Sequence, residues 1–290
     1  MVDTEEQAQQ YVDVMTSYKS DHLTFGGWKL AVDGGVAAGT ALMYDNTLLG
    51  GVNAYYFHQP EVLNRIVKLL HDTGLQIAFH IIGDKGIDEA LDAVQAAFAA
   101  SGRNGARHRI EHCWYPTPAA LARIKALNMV VSAQSAMISW FADGYRAGSN
   151  DAMMARFMPI KTMLDNEIPV ALGCDVPAAP LHEPKWDLLG ATTRRSMTGY
   201  VPAPEERITI PAAVRLHTMG SAYAAFEEDV KGSIEAGKFA DLVVWNQDLA
   251  NLSDPMMLGY LRALMTVVGG KVVYRGGENQ AFVPAVTKGR

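Results

Sequence analysis

His80, His112 and Asp175 each stand at or near the end of a short apolar run, residues 75–82, 107–113 and 169–175. Imidazole and carboxylate groups converging on one point suit a divalent metal ion. The three lie far apart in sequence, so something must bring them together. Apolar runs this short read as buried strands. Helix-like segments at 60–74, 88–98 and 117–127 separate or follow them. The order β, α, β, α points to a parallel sheet or barrel. In a (β/α)8 barrel all strands point the same way and their C-terminal ends form one active face. Residues at three strand ends would meet there.

The remaining segments supply the scaffold. Residues 4–19 read as a polar-faced helix, 28–33 as a strand closed by Gly34-Gly35, and 35–54 as a glycine-rich loop. Residues 129–135 read as a strand; 159–166, 186–197 and 211–225 read as helices. Residues 136–158, rich in Met, Trp, Phe, Tyr and Gly, show no clear period. We read them as a long loop over the substrate on the active face, with Trp140, Phe141 and Tyr145 as candidate substrate contacts. After residue 241 the character changes to short β-rich segments, 241–245 and 265–275. Side chains alternate along a strand, so a His112 pointing into the site turns Glu111 and Cys113 away. Cys174 likewise turns away beside Asp175, and both cysteines read as packed thiols. His108 shares the alternation of His112 and reads as core. Asp84 reads as a helix cap, and His182 and His217 as structural or surface residues.

With 25 basic and 31 acidic residues, the net charge of −6 argues against a nucleic-acid partner. Two cysteines without a C-x-x-C make no disulfide framework. No apolar run of membrane-spanning length occurs, so no membrane association is expected. The opening Met-Val-Asp-Thr-Glu-Glu has neither basic region nor apolar core, so no signal peptide is expected and the cytoplasm is the expected location.

Five stretches, taken in order, resemble the amidohydrolase superfamily, and within it the large metal-dependent hydrolases similar to N-substituted formamide deformylase. They are Trp28-Lys-Leu-Ala-Val-Asp-Gly34, the eleven residues from His80 to Ala90, Arg107-His-Arg-Ile-Glu-His112, Gly173-Cys-Asp-Val-Pro177, and the twelve residues from Gly232 to Val243. The resemblance implies a role for each matching residue. Lys29 matches a fourth-strand lysine that can be carboxylated and bridge metals. His80 and His112 match metal ligands on strands five and six. Asp175 matches a catalytic aspartate on strand eight that contacts metal and shuttles a proton. The implied cofactor is a divalent metal, zinc first, manganese or iron next. The implied reaction is hydrolysis of a non-peptide C–N bond, amide or imide-like, by metal-activated water.

One element of the pattern is missing. The family opens its barrel with a His-x-His pair, and among the histidines at 22, 58, 71, 80, 108, 112, 182 and 217 no two are two apart. The resemblance thus implies the C-terminal portion of the family's fold. We expect an incomplete (β/α)8 barrel of about strands 4–8 over residues 1–228, with residues 229–290 giving part of a small β-sandwich subdomain. Such a chain should bind at most one ion, turn over slowly, and form homo-oligomers or pair through its open barrel edges. The competing expectation is a non-catalytic remnant or regulatory protein that keeps the scaffold.

Overall fold

The computed structural model describes residues 4–15, 24–45, 54–178 and 181–276. The end of the 4–19 helix, the middle of the 35–54 loop, His22 and the tail beyond 276 lie outside the described residues. In chain order the first elements are α1 (Glu5–Met15), β1 (Gly27–Ala31), α2 (Pro60–Asp72), β2 (Gln76–Ile81), α3 (Asp84–Ser101) and β3 (Arg109–His112). Next come α4 (Pro118–Ala126), β4 (Val130–Ala133), α5 (Ala136–Ala147), α6 (Asp151–Met154), α7 (Ile160–Asp165) and β5 (Val170–Leu172). The fold is mixed α/β. Its five-stranded sheet has the order β1-β2-β3-β4-β5, and the first three pairs are parallel.

Two compact units divide the chain: residues 1–133 with 143–170, and residues 134–142 with 171–290. In the first unit, strand register sorts side chains onto two faces. Trp28 lies beside Ile77, and Leu30 beside Phe79. Ile110 continues that row beside Phe79, and all five are buried. α2 and α3 cover this face. Pro60 starts α2, and Leu63, Ile66, Val67 and Leu70 form its buried stripe. Trp28 Nε1 donates to Thr73 Oγ1 at the end of α2.

A polar chain runs through this apolar layer. The Ile77 amide donates to His108 Nδ1 at 3.0 Å. His108 Nε2 then carries the proton and donates to His71 Nδ1 at 2.9 Å. His71 Nε2 in turn donates to Ser101 Oγ at 2.8 Å. Each ring is neutral and both its nitrogens are paired, so burial pushes His108 down to about 3.

Residues 136–158 are a correction. They form α5 and α6 rather than one long loop. Ile138, Ala142 and Tyr145 are buried at helical spacing, a period obscured by the glycines and by Trp140 and Phe141. The start of α5 is capped from 51 positions away: the Ala136 amide donates to Asp187 Oδ1 at 2.9 Å. No local pattern reveals such a cap. Asp84 is also corrected. It is the first residue of α3, with Gly83 at the cap position. Its carboxylate accepts from the Tyr44 amide and pairs with Arg156 Nη2 at 2.8 Å.

The second unit continues with α8 (Pro184–Thr193), α9 (Ile210–Arg215), a π turn over Leu216–Gly220 and α10 (Ser221–Ala224). The single helix expected over 211–225 is thus present as one continuous helical stretch with a π-wound segment in its middle. β6 (Leu242–Trp245), β7 (Ala263–Val268) and β8 (Lys271–Arg275) form an antiparallel sheet in that order.

Candidate metal and active site

The sheet face opposite α2 and α3 is polar. In register, Lys29 stands beside Ala78 and Ala31 beside His80. His80 pairs with Glu111, and Arg109 with Ala78. Ser132 follows beside Glu111. One face of four adjacent strands therefore presents Lys29, His80, Arg109, Glu111 and Ser132. Arg109 Nε and Glu111 Oε1 form an ion pair at 2.5 Å on it.

His112 joins this face by breaking the alternation. Its register partner is Ile81, which belongs with the apolar side. But the backbone turns left-handed at His112 (φ 79) and again at Cys113 (φ 52). For β-carbon residues that region is uncommon and marks special local geometry. The turn brings His112 Nε2 to 2.9 Å from His80 Nδ1, with ring centroids 4.5 Å apart. The expectation that Glu111 turns away from the site is thus overturned: Glu111 shares the face of His80, and His112 leaves the face of His108 through its backbone.

The His80 pair fits a metal ion. A His80 ring protonated on Nε2 donates to the Gly34 carbonyl at 3.2 Å, which leaves Nδ1 as a lone pair facing His112 Nε2. Metal-binding histidines are fixed in this way, with the second nitrogen donating to a carbonyl. His112 Nε2 donates to that lone pair when it carries the proton, and a cation taking both nitrogens as ligands would replace this hydrogen bond. Gly34 is at this position for space: a β-carbon there would lie 2.0 Å from Thr40 Oγ1.

Asp33, which the sequence reading passed over, holds the loops that carry these groups. It is fully buried. Its carboxylate accepts from the amides of Leu42 (3.0 Å), Ile82 (2.9 Å) and Gly83 (2.8 Å). Burial pushes it up to about 7, against the pull of the three amides. The only local signal was an aspartate at the end of a predicted strand before Gly34-Gly35.

The other candidate residues are placed as follows. Asp175 follows β5, is exposed, and has a left-handed φ of 54°. It belongs to the second unit, while Lys29, His80 and His112 belong to the first. Trp140 is exposed and Phe141 half-buried. Tyr145 is buried against Trp114 and Phe157. Trp114 in turn packs on the ring of His112, with centroids 6.0 Å apart. Its Nε1 is buried with no hydrogen-bond partner among the described residues. Cys113 is fully buried, and burial pushes its thiol up. His217, read as structural or surface, instead meets Asp187 and Cys174.

Comparison with known proteins gives the same assignment as the motifs. The model of the amidohydrolase family matches residues 1–274. The chain belongs to the amidohydrolase family. It is similar to Protein LONG AFTER FAR-RED 3 of Arabidopsis thaliana, 31% identical over 279 residues covering 89% of this chain and 44% of that protein. It is also similar to N-substituted formamide deformylase of Arthrobacter pascens, 28% identical and covering 77% of this chain and 41% of that one. Among solved structures, an uncharacterized metal-dependent hydrolase from Pyrococcus furiosus superposes with a TM-score of 0.67 at 27% identity, covering 80% of this chain and 47% of that one. This amidohydrolase chain spans less than half the length of these relatives. Among its described residues, no helix is long and apolar enough to cross a membrane.

Proposed function

We propose that this chain is a metal-dependent hydrolase of a non-peptide C–N bond, with its metal ligands at His80 and His112. The observation that carries the reading is the imidazole pair at 2.9 Å, oriented by the Gly34 carbonyl. His80 and His112 would hold a divalent cation, zinc first, which would supply Lewis acidity toward water and an acyl oxygen. Lys29, on the same sheet face, is the proposed further ligand, carboxylated or not. Asp175 is the proposed proton carrier, accepting from water and delivering to the leaving amine. Trp140, Phe141 and Tyr145 are the proposed substrate contacts. The Arthrobacter relative is named for deformylating N-substituted formamides, and small amides of that kind are the proposed substrate class.

We propose a single metal ion at His80 and His112, and slow turnover from that site. Loss of one electrostatic contact to a transition state costs about 100- to 1000-fold. We further propose that the sheets belong to a partial (β/α) barrel and one layer of a sandwich. The exposed Val243, Val244, Val272 and Val273 on β6 and β8 support the second of these. β1 ends the sheet order, and its outer edge is the proposed pairing surface for a second copy.

The test is metal analysis with a turnover assay. The purified chain and its His112→Ala variant are supplied with zinc or manganese and offered N-acyl amines and formamides. The reading requires metal and any turnover to fall together in the variant. A chain that binds metal at His112 yet cleaves nothing supports the scaffold-only alternative. Turnover that survives His112→Ala refutes the site.

A further inference from the structure

We propose that Cys174, Asp187 and His217 form a second divalent-cation site, of the zinc class, that shares no ligand with His80 and His112. All three belong to the second unit. Cys174 Sγ, one Asp187 oxygen and one His217 nitrogen all lie within 4.8 Å of one another. Thiolate, imidazole and carboxylate together are a zinc-type donor set.

Asp187 divides its work between two oxygens. Oδ1 accepts from the Ala136 amide at 2.9 Å and from Ser135 Oγ at 3.3 Å. Ser135 Oγ also donates to the Asp187 carbonyl at 2.7 Å. These bonds lock the carboxylate, and Oδ2 is left aimed at Cys174 Sγ (2.8 Å) and His217 Nε2 (3.5 Å). A carboxylate this buried ordinarily has a cationic partner. Asp187 is fully buried, and its ion-pair partner among the described residues is His217, which is a cation only when protonated. His217 Nε2 is itself buried and, among the described residues, makes no hydrogen bond. One cation in reach of all three atoms would satisfy both residues.

The spacing agrees. Ligands at about 2.0–2.3 Å from a tetrahedral ion stand roughly 3.3–3.6 Å apart. The Asp187–His217 separation already has that value, at 3.5 Å. The shorter Cys174–Asp187 separation is an S–H hydrogen bond. Binding would release that proton to solvent and replace the bond with coordination. His217 sits on the π turn Leu216–Gly220, a helix irregularity of the kind that recurs at functional sites. Cys174 and His217 are partly exposed as residues.

The experiment uses the full chain loaded with cobalt(II), whose bond to a thiolate gives a near-ultraviolet charge-transfer absorption. The expected result is that absorption in the parent chain and in a His80→Ala/His112→Ala variant. Cys174→Ser should abolish it. His217→Gln should weaken cobalt binding by at least roughly 100-fold, the upper end of what a merely supporting residue costs. The proposal is overturned if the parent chain gives no such absorption, if the absorption survives Cys174→Ser, or if His217→Gln leaves affinity unchanged. The last variant alters a partly exposed side chain, so it decides the matter even if Cys174→Ser does not fold.

Discussion

Asp33→Asn should change how stability depends on pH. The carboxylate is fully buried, and its folded value of about 7 stands against an ordinary 3.8. At about 1.4 kcal/mol for each tenfold change in proton affinity, that difference is about 4 kcal/mol. The sign is fixed by proton uptake. Between the two values the folded chain holds a proton that the unfolded chain has released, so this group's contribution falls as pH rises from about 4 to about 7 and stays low above that. Asparagine does not titrate. Its oxygen can keep the Leu42 and Gly83 amides, but its NH2 then opposes the Ile82 amide. Two buried groups go unpaired, at about 1–3 kcal/mol each. The variant should therefore be clearly less stable than the parent near pH 4 and nearly equal to it near pH 8. Urea unfolding at a series of pH values measures both. A stability difference that stays constant across that range would mean that the three amides outweigh burial and hold Asp33 ionised throughout.

Other outcomes follow from single contacts. Gly34→Ala places a β-carbon against Thr40 Oγ1 and shifts the carbonyl that orients His80, so metal affinity measured by competition with a chelator should drop about 10- to 100-fold. His108→Leu should remove part of the chain's acid lability. A histidine held at about 3 against its ordinary 6.5 contributes stability above 6.5 that is lost as pH falls toward 3, and a variant with the same acid slope as the parent would refute the neutral chain from Ile77 to Ser101. Arg156→Met leaves the buried Asp84 carboxylate without its 2.8 Å partner, which should cost about 2 kcal/mol by urea midpoint at neutral pH; no change would mean that the Tyr44 and Lys85 amides suffice.

The strands and helices of the first unit were legible because their causes are local. Pro60 and Thr117-Pro118 start helices, Gly102 ends one in a left-handed turn, and the apolar runs between them are too short for anything but strands. What escaped was fixed by contacts between distant residues. α5 has its cap in Asp187, 51 positions on. The helix expected over 211–225 is continuous, but its Leu216–Gly220 stretch is π-wound, which no local pattern announces. There Ser221 Oγ donates to the Leu172 carbonyl, a bond that no window around residue 221 contains.

The site shows the same division more sharply. That His80 and His112 belong together could be read from strand ends and motif order. The faces could not be, because alternation is a rule about extended backbone and His112 is not extended. A left-handed φ at the last strand residue rotates one side chain off the apolar face and onto the polar one, and Glu111 remains there beside His80. Counting by twos therefore assigns Glu111 and His112 to the wrong sides together. The bulk around the turn explains how the strain is held: Cys113 and Trp114 are buried immediately after it, and Trp114 packs on Tyr145 and Phe157 as well as on His112. A strained strand end is stable only when its surroundings over-determine it, and here the aromatic cluster contributed by residues 143–158 does so. Those residues looked like a loop over the substrate in the sequence. In the structure, Tyr145 and Phe157 from that stretch pack on Trp114, two residues after the His112 turn.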